Sequence, residues 1–150
     1  MIFLSCILLI LGIFSGDLWI KNRIEQDMES VPSSLWKGRI LLRRSHNKGA
    51  MLNLGQEKSS MIAALSVALC LLMSICFLLS LGQRGNAGLR LGLSLLLGGS
   101  FSNTYDRLKR KYVVDYFSFN VPVKFIRKIV FNISDLFIMI GALITVLSMR

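Results

Sequence analysis

The chain has 150 residues, 53% of them hydrophobic, and a mean hydropathy of +0.60. This excludes an ordinary soluble domain, where apolar residues make up about 45 to 50% and gather on one face of each element, and it points to a single integral membrane unit. Net charge is +10, but the basic residues crowd into two connecting segments and form no nucleic-acid stripe. No nucleic-acid partner is expected, and the anionic head groups of membrane phospholipids are the expected counterpart of that charge.

Cys6, Cys70 and Cys76 lie in apolar runs with no metal or redox spacing and read as small buried hydrophobes. His46 is the only histidine and reads as a loop residue. A His-based triad or a zinc site would have one residue to build on, so neither a metal nor a cofactor is expected.

Residues 1–20 have the length of a bilayer-spanning helix, with Asp17 as their only charge and Trp19 suited to an interfacial anchor. A cleavable signal peptide is the rival reading, but no basic segment opens it and no small-residue cleavage site follows. Residues 21–60 are polar, with eight basic and four acidic side chains. Turn signals at Pro32-Ser33-Ser34 and Asn47-Lys48-Gly49 predict a small β element there, with an interfacial amphipathic helix as the alternative. Residues 61–81 carry no charge and form the second predicted span. The short link that follows makes the next span antiparallel to it.

The apolar run 91–105 is only fifteen residues, roughly 22 Å as a helix against a hydrocarbon core of about 30 Å. Charged residues therefore have to complete the crossing, and the span is drawn at 91–107. Asn103, Asp106 and Arg107 stand at i, i+3 and i+4, one face of a helix. The chain then leaves the membrane over 108–128, where Val113 to Val121 predict a strand bearing Asp115, ended by Pro122. A fourth span is predicted over 129–149, with Asn132 and Asp135 at i and i+3, and Asp135 about 9 Å from its start.

Ionisable groups at membrane depth are rare and mark functional sites by default. Counting crossings places them. If the first span ends on one side with Asp17, the third ends there with Asp106, the fourth leaves from there past Asp135, and both long loops, with Asn47 and Asp115, lie there too. The unusual polar groups thus converge on one membrane face. Two carboxylates brought close together share a proton and titrate as a unit. Such a pair can hold a water, take its proton and hydrogen-bond the carbonyl under attack, which is aspartyl peptidase chemistry. Asp115 and Asp135, on a loop and a helix, are the candidates, and Asp106 is assigned an ion pair or a helix-end hydrogen bond. In the plainer alternative each Asp is an interfacial residue satisfied by a nearby cation or helix N-terminus.

At these residues the chain resembles the lipoprotein signal peptidases, or signal peptidase II, as a divergent member. Asp17-Leu18-Trp19-Ile20-Lys21 resembles the family's Asp-Gln-x-x-Lys, and Asn47-Lys48-Gly49-Ala50 its Asn-x-Gly-Ala. Residues 98–107, ending Asn103-Thr104-Tyr105-Asp106-Arg107, resemble Gly-Gly-Ala-x-Gly-Asn-x-x-Asp-Arg. Val113-Val114-Asp115-Tyr116 is similar to Val-Val-Asp-Phe, and Phe131-Asn132-Ile133-Ser134-Asp135 to Phe-Asn-x-Ala-Asp.

The resemblance implies an all-α integral membrane fold, a four-transmembrane-helix bundle with a small β element and loop on the extracytoplasmic side of the bacterial cytoplasmic membrane. It implies an aspartic endopeptidase that removes the signal peptide from diacylglyceryl-modified prolipoproteins just before the lipidated cysteine, acting as a monomer without metal. Asp115 and Asp135 would be the catalytic dyad. Asn47, Asn103, Arg107 and Asn132 would bind substrate or order the site, Asp106 would hold Arg107, and Asp17 with Lys21 would be structural, Asp17 bracing the first helix. Leu18, Met51-Leu52, Ser100, Ser102, Lys111 and Ser134 depart from the pattern. Ser102 and Ser134 are expected to add volume and a hydroxyl near the dyad. Charge alone argues for the opposite orientation, since basic loops favour the cytoplasm. Two other functions compete: a small proton-coupled four-helix transporter, and a silent relative that binds lipidated segments without cutting them.

Overall fold

The computed structural model describes residues 2–26, 33–50, 54–82 and 85–149. Four long helices dominate: α1 (Ile2–Gln26), α2 (Ser59–Leu81), α3 (Ala87–Lys109) and, after the short α4 (Lys124–Lys128), α5 (Ile133–Ser148). Strands β1 (Ser34–Leu35), β2 (Ile40–Asn47) and β3 (Val113–Phe119) form one antiparallel sheet in that order. The β element expected between residues 21 and 60 is therefore present, and β3 comes from the segment read as a strand. The departure at Met51-Leu52 and the turn residue Pro32 lie outside the described residues.

Two stretches are long and apolar enough to cross a membrane by length and composition, Phe3–Gln26 and Gln56–Leu81, and Ile133–Ser148 is apolar but shorter. α1 runs past the expected end at residue 20 because Lys21 is not a loop cation. It is fully buried and neutralised by Asp17 and Asp106 at 2.7 and 3.2 Å. α5 starts at Ile133 rather than at residue 129, so Asp135 lies in its first turn and not part-way along a span.

α3 packs against α1, α2 and α5. The pairs Cys70 with Thr104 and Phe77 with Leu97 show that α2 returns antiparallel to α3. Gly92 against Thr145 and Gly99 against Ser134 show the same for α5, while Ile13 beside Gly98 and Asp17 beside Ser102 show that α1 runs parallel to α3. The C-terminal ends of α1 and α3 thus meet the N-terminal end of α5, as the crossing count required. The sheet closes on that end through an apolar cluster of Ile24, Val114, Tyr116 and Phe117.

The α3–α5 contact depends on missing side chains. A Cβ on Gly99 would stand 2.5 Å from the Ser134 carbonyl oxygen, and one on Gly141 would stand 2.6 Å from that of Gly92. Backbone cannot yield as a side-chain tip can, so small residues set the spacing, as in membrane helix pairs generally. Lys111 sits at φ 69°, the left-handed region that disfavours any side chain.

Gly99→Ala is expected to destabilise the chain by about 1–3 kcal/mol through forced separation of α3 and α5. Lys111→Gly is expected to stabilise it by about 1 kcal/mol through relief of strain. Thermal midpoints of the purified variants in one detergent check both signs, and an unchanged midpoint in Gly99→Ala would contradict the packing account.

Candidate active site

The site is built outward from Asn132. Just before α5 the backbone of Phe131 is stitched to β3: its N–H donates to the Phe117 carbonyl at 2.7 Å, and its carbonyl accepts the N–H groups of Tyr116 and Phe117 at 2.9 Å. This fixes the residue that follows. Asn132 is the N-cap of α5, accepting the Asp135 N–H on its side-chain oxygen at 2.9 Å, while Asp135 Oδ2 accepts the Asn132 N–H at 3.0 Å. Such a reciprocal capping box satisfies two of the donors that a helix start leaves unpaired.

The same asparagine turns its amide to the strand. Asn132 Nδ2 donates to Asp115 Oδ1 at 2.8 Å. One fully buried residue thus joins the two carboxylates that the sequence singled out, its side chain holding Asp115 and its backbone N–H holding Asp135, although they lie twenty positions apart. Asn47, the last residue of β2, hydrogen-bonds Asp115 and takes the Gly49 N–H at 3.0 Å. Burial, followed by the charge of Asp135, pushes the Asp115 carboxyl up to about 7 against the opposing hydrogen bonds of Asn132 and Asn47.

Asn103 supports the helix side. Its carbonyl oxygen accepts Lys21 Nζ at 2.8 Å, so its Nδ2 faces Asp135 Oδ1 and donates at 2.9 Å. Arg107, one turn on, reaches the loop after β2, donating from Nη2 to the carbonyls of Gly49 and Ala50 at 3.2 and 3.4 Å. It does not pair with Asp106 as expected. Asp106 instead ion-pairs with Lys21 and Arg110, each at 3.2 Å, and accepts the Val114 N–H at 3.2 Å. Arg110 follows Asp106 by one helical turn, whereas the adjacent Arg107 projects from another part of the helix. The ion pair expected of Asp106 is therefore present, with Lys21 and Arg110, and its hydrogen bond to Val114 anchors β3 one residue before Asp115.

Asp17 does more than brace α1. Tyr116 Oη donates to its Oδ1 at 2.8 Å, and Ser102 and Ser134 both donate to Oδ2 at 2.6 Å. The two serines thus point at Asp17. Tyr116 was assigned no role from the sequence. Its phenol is pushed up by burial and by Asp17, which keeps it a donor. The available signal is a tyrosine standing where the motif it resembles has Phe. His46 lies on β2 and not in a loop, where it pairs with Glu25 at 2.7 Å.

A groove of about 420 Å³ between α2, α3 and α5 reaches Asp135 and is lined also by Ala50, Cys70, Ser100, Asn103 and Arg107. Asp115 is 4% exposed. A larger cleft of about 550 Å³, lined by Trp19, Trp36 and Phe119 among others, contains neither carboxylate. Among the described residues no three His, Cys, Asp or Glu side chains gather as a metal ion would require.

A sequence profile described as Signal peptidase (SPase) II matches residues 9–150. The lipoprotein signal peptidase of Clostridioides difficile is 29% identical over 94% of this chain and 89% of its own length. That of Caldicellulosiruptor bescii is 28% identical over 91% and 85%, and that of Clostridium tetani 30% over 67% and 63%. Two solved structures of bacterial membrane enzymes superpose with TM-scores of 0.79 and 0.77, each covering 97% of this chain and 87% and 92% of their own, at 20% identity, and so share its fold. Five sequence blocks, the full-length fold and a profile that spans nearly the whole chain agree, and the chain belongs to the signal peptidase II family of membrane peptidases.

Proposed function

We propose that the chain is an aspartic endopeptidase in which Asp115 and Asp135 share one proton and activate a water. The single observation that carries this reading is Asn132, which donates its side-chain amide to one carboxylate and its backbone N–H to the other. Asp135 also accepts Asn103, and in this reading it is the member that takes the proton of the water. Asp115, with its carboxyl raised to about 7, is the member that holds the proton. Asp135 takes a proton from the water as it attacks the peptide carbonyl, and Asp115 gives its proton to the carbonyl oxygen. Collapse of the resulting diol sends a proton to the leaving amine and restores the pair.

The proposed substrate is the one the resemblance implies: a prolipoprotein whose cysteine carries diacylglycerol, cut just before that cysteine. The groove beside Asp135 opens between helices where an extended peptide can reach the site from the membrane. In this reading α1, α2, α3 and α5 all cross the bacterial cytoplasmic membrane, the sheet and site face its outer side, and the enzyme works as a monomer. The basic loops oppose that orientation on charge alone. Their weight is lessened because Lys21, Arg107 and Arg110 are fixed in the fold by structural partners.

In cells that lack their own lipoprotein peptidase, the parent chain is expected to convert precursor to mature lipoprotein, and neither Asp115→Asn nor Asp135→Asn is. Mature product from either variant at the parent's rate removes the dyad. Failure of the parent itself would favour a non-catalytic binder.

The raised Asp115 carboxyl also fixes a pH dependence. Activity needs its proton and is expected to fall as pH rises through about 7. Because the folded value lies above the ordinary 3.8, the fold binds the extra proton, so stability declines as pH climbs from about 4 to 7 and levels off above. Asp115→Asn is expected to flatten that decline, and denaturation in detergent across this pH range measures it.

A further inference from the structure

The buried carboxylate of Asp17 lies outside the dyad, yet donors from four elements converge on it. Lys21 Nζ from α1 lies 2.7 Å from Oδ2, Ser102 Oγ from α3 and Ser134 Oγ from α5 each lie 2.6 Å from Oδ2, and Tyr116 Oη from β3 lies 2.8 Å from Oδ1. The neighbours of these hydroxyls matter. Ser102 precedes Asn103, Tyr116 follows Asp115 and Ser134 precedes Asp135, so each is covalently next to a side chain of the site.

Two further bonds tighten the arrangement. Tyr116 Oη accepts the Ile133 N–H at 3.0 Å, which pairs the first helical residue of α5. Lys21 Nζ donates to Asn103 Oδ1 at 2.8 Å and so leaves the other end of that amide to donate to Asp135. Asp17, Ser102, Ser134 and Lys21 are all at most 1% exposed, and Tyr116 is 3% exposed. In such surroundings a charge-assisted hydrogen bond is strong, and loss of the Tyr116 hydroxyl strips Oδ1 of its donor. At 102, 116 and 134 this chain carries a hydroxyl where the blocks it resembles have Gly, Phe and Ala. Three separate segments each supply a hydroxyl, and all three end on one carboxylate.

We propose that Asp17, through Ser102, Tyr116 and Ser134, is the positioning centre of the peptidase site, holding Asn103, Asp115 and Asp135 in register without touching substrate. This inference rests on the dyad reading above. Positioning groups act on the chemical step, where displacement of a reacting group by a fraction of an ångström lowers rate without weakening substrate binding. Tyr116→Phe is the sharpest probe, because it keeps the ring and removes only the oxygen.

The test uses the full chain in detergent with a synthetic peptide carrying a diacylglyceryl cysteine, measuring kcat and KM separately. Tyr116→Phe is expected to lower kcat about tenfold at unchanged KM, and Ser102→Gly and Ser134→Ala to lower it about threefold each. In an Asp17→Asn background, where Lys21 keeps Asp106, these further losses are expected to vanish. Losses that persist in full there, or that appear in KM alone, overturn the proposal. Should Asp17→Asn not fold, the Ser102→Gly/Ser134→Ala double variant decides: a loss smaller than the product of the single losses supports a shared carboxylate, and full multiplication overturns it. Asp115→Asn is assayed alongside, and activity surviving there would count against the dyad and not against the hydroxyl geometry.

Discussion

An ammonium group with no exposure to solvent is the constraint around which this protein is arranged. Lys21 is held by Asp17 and Asp106 at 2.7 and 3.2 Å and by Ser102 and Asn103 at 3.1 and 2.8 Å. Removing an ion from water costs several kcal/mol after relaxation, and the attraction of its partners offsets this only where geometry is good. The network is therefore poor evidence for added stability and good evidence for register, since a shift of α1 along α3 would leave a charge buried and unpaired. The carboxylates that neutralise Lys21 also bind the elements carrying the site. Asp106 takes the Val114 N–H from β3, and Asp17 gathers α3, β3 and α5.

Close helix packing lets that network be small. Gly98 brings α3 against Ile13 of α1, and Gly99 brings it against the backbone of α5 at Ser134. The hydroxyls of Ser102 and Ser134 reach one oxygen atom from opposite helices because both helices approach α1 at this level. Glycines and serines in α3 thus have distinct functions: the first removes bulk so that backbones can meet, and the second supplies short donors where they do.

The dyad is placed by secondary structure more than by its own bonds. Asp135 is the third residue of α5 and completes the capping box with Asn132, so the start of the helix and the position of the carboxylate are one event. A negative charge in the first turn also suits the helix dipole. Asp115 is carried by a strand that is buried from Val113 to Ser118, and its sheet partner, β2, brings Asn47 to it. A carboxylate from a helix start and one from a strand can face each other because Phe131 bridges to Phe117 just before the helix begins.

Hydropathy and crossing parity alone revealed the helical segments, their alternating direction and the gathering of Asp17, Asn47, Asn103, Asp106, Asp115, Asn132 and Asp135 at one end, because apolar runs and charge positions are written along the chain. The five sequence blocks carried the family. Only the tertiary structure decided which polar group meets which. The partner of Asp106 is Arg110 rather than Arg107 because helical rotation selects it. Lys21 lies inside the fold rather than in a loop because two carboxylates from different turns of the bundle reach it. Ser102, Tyr116 and Ser134 lie on separate segments of the chain, and their common target is visible only once α3, β3 and α5 are folded around α1. A sequence records which donors are available, whereas a hydrogen bond depends on direction and distance between segments that the chain keeps apart.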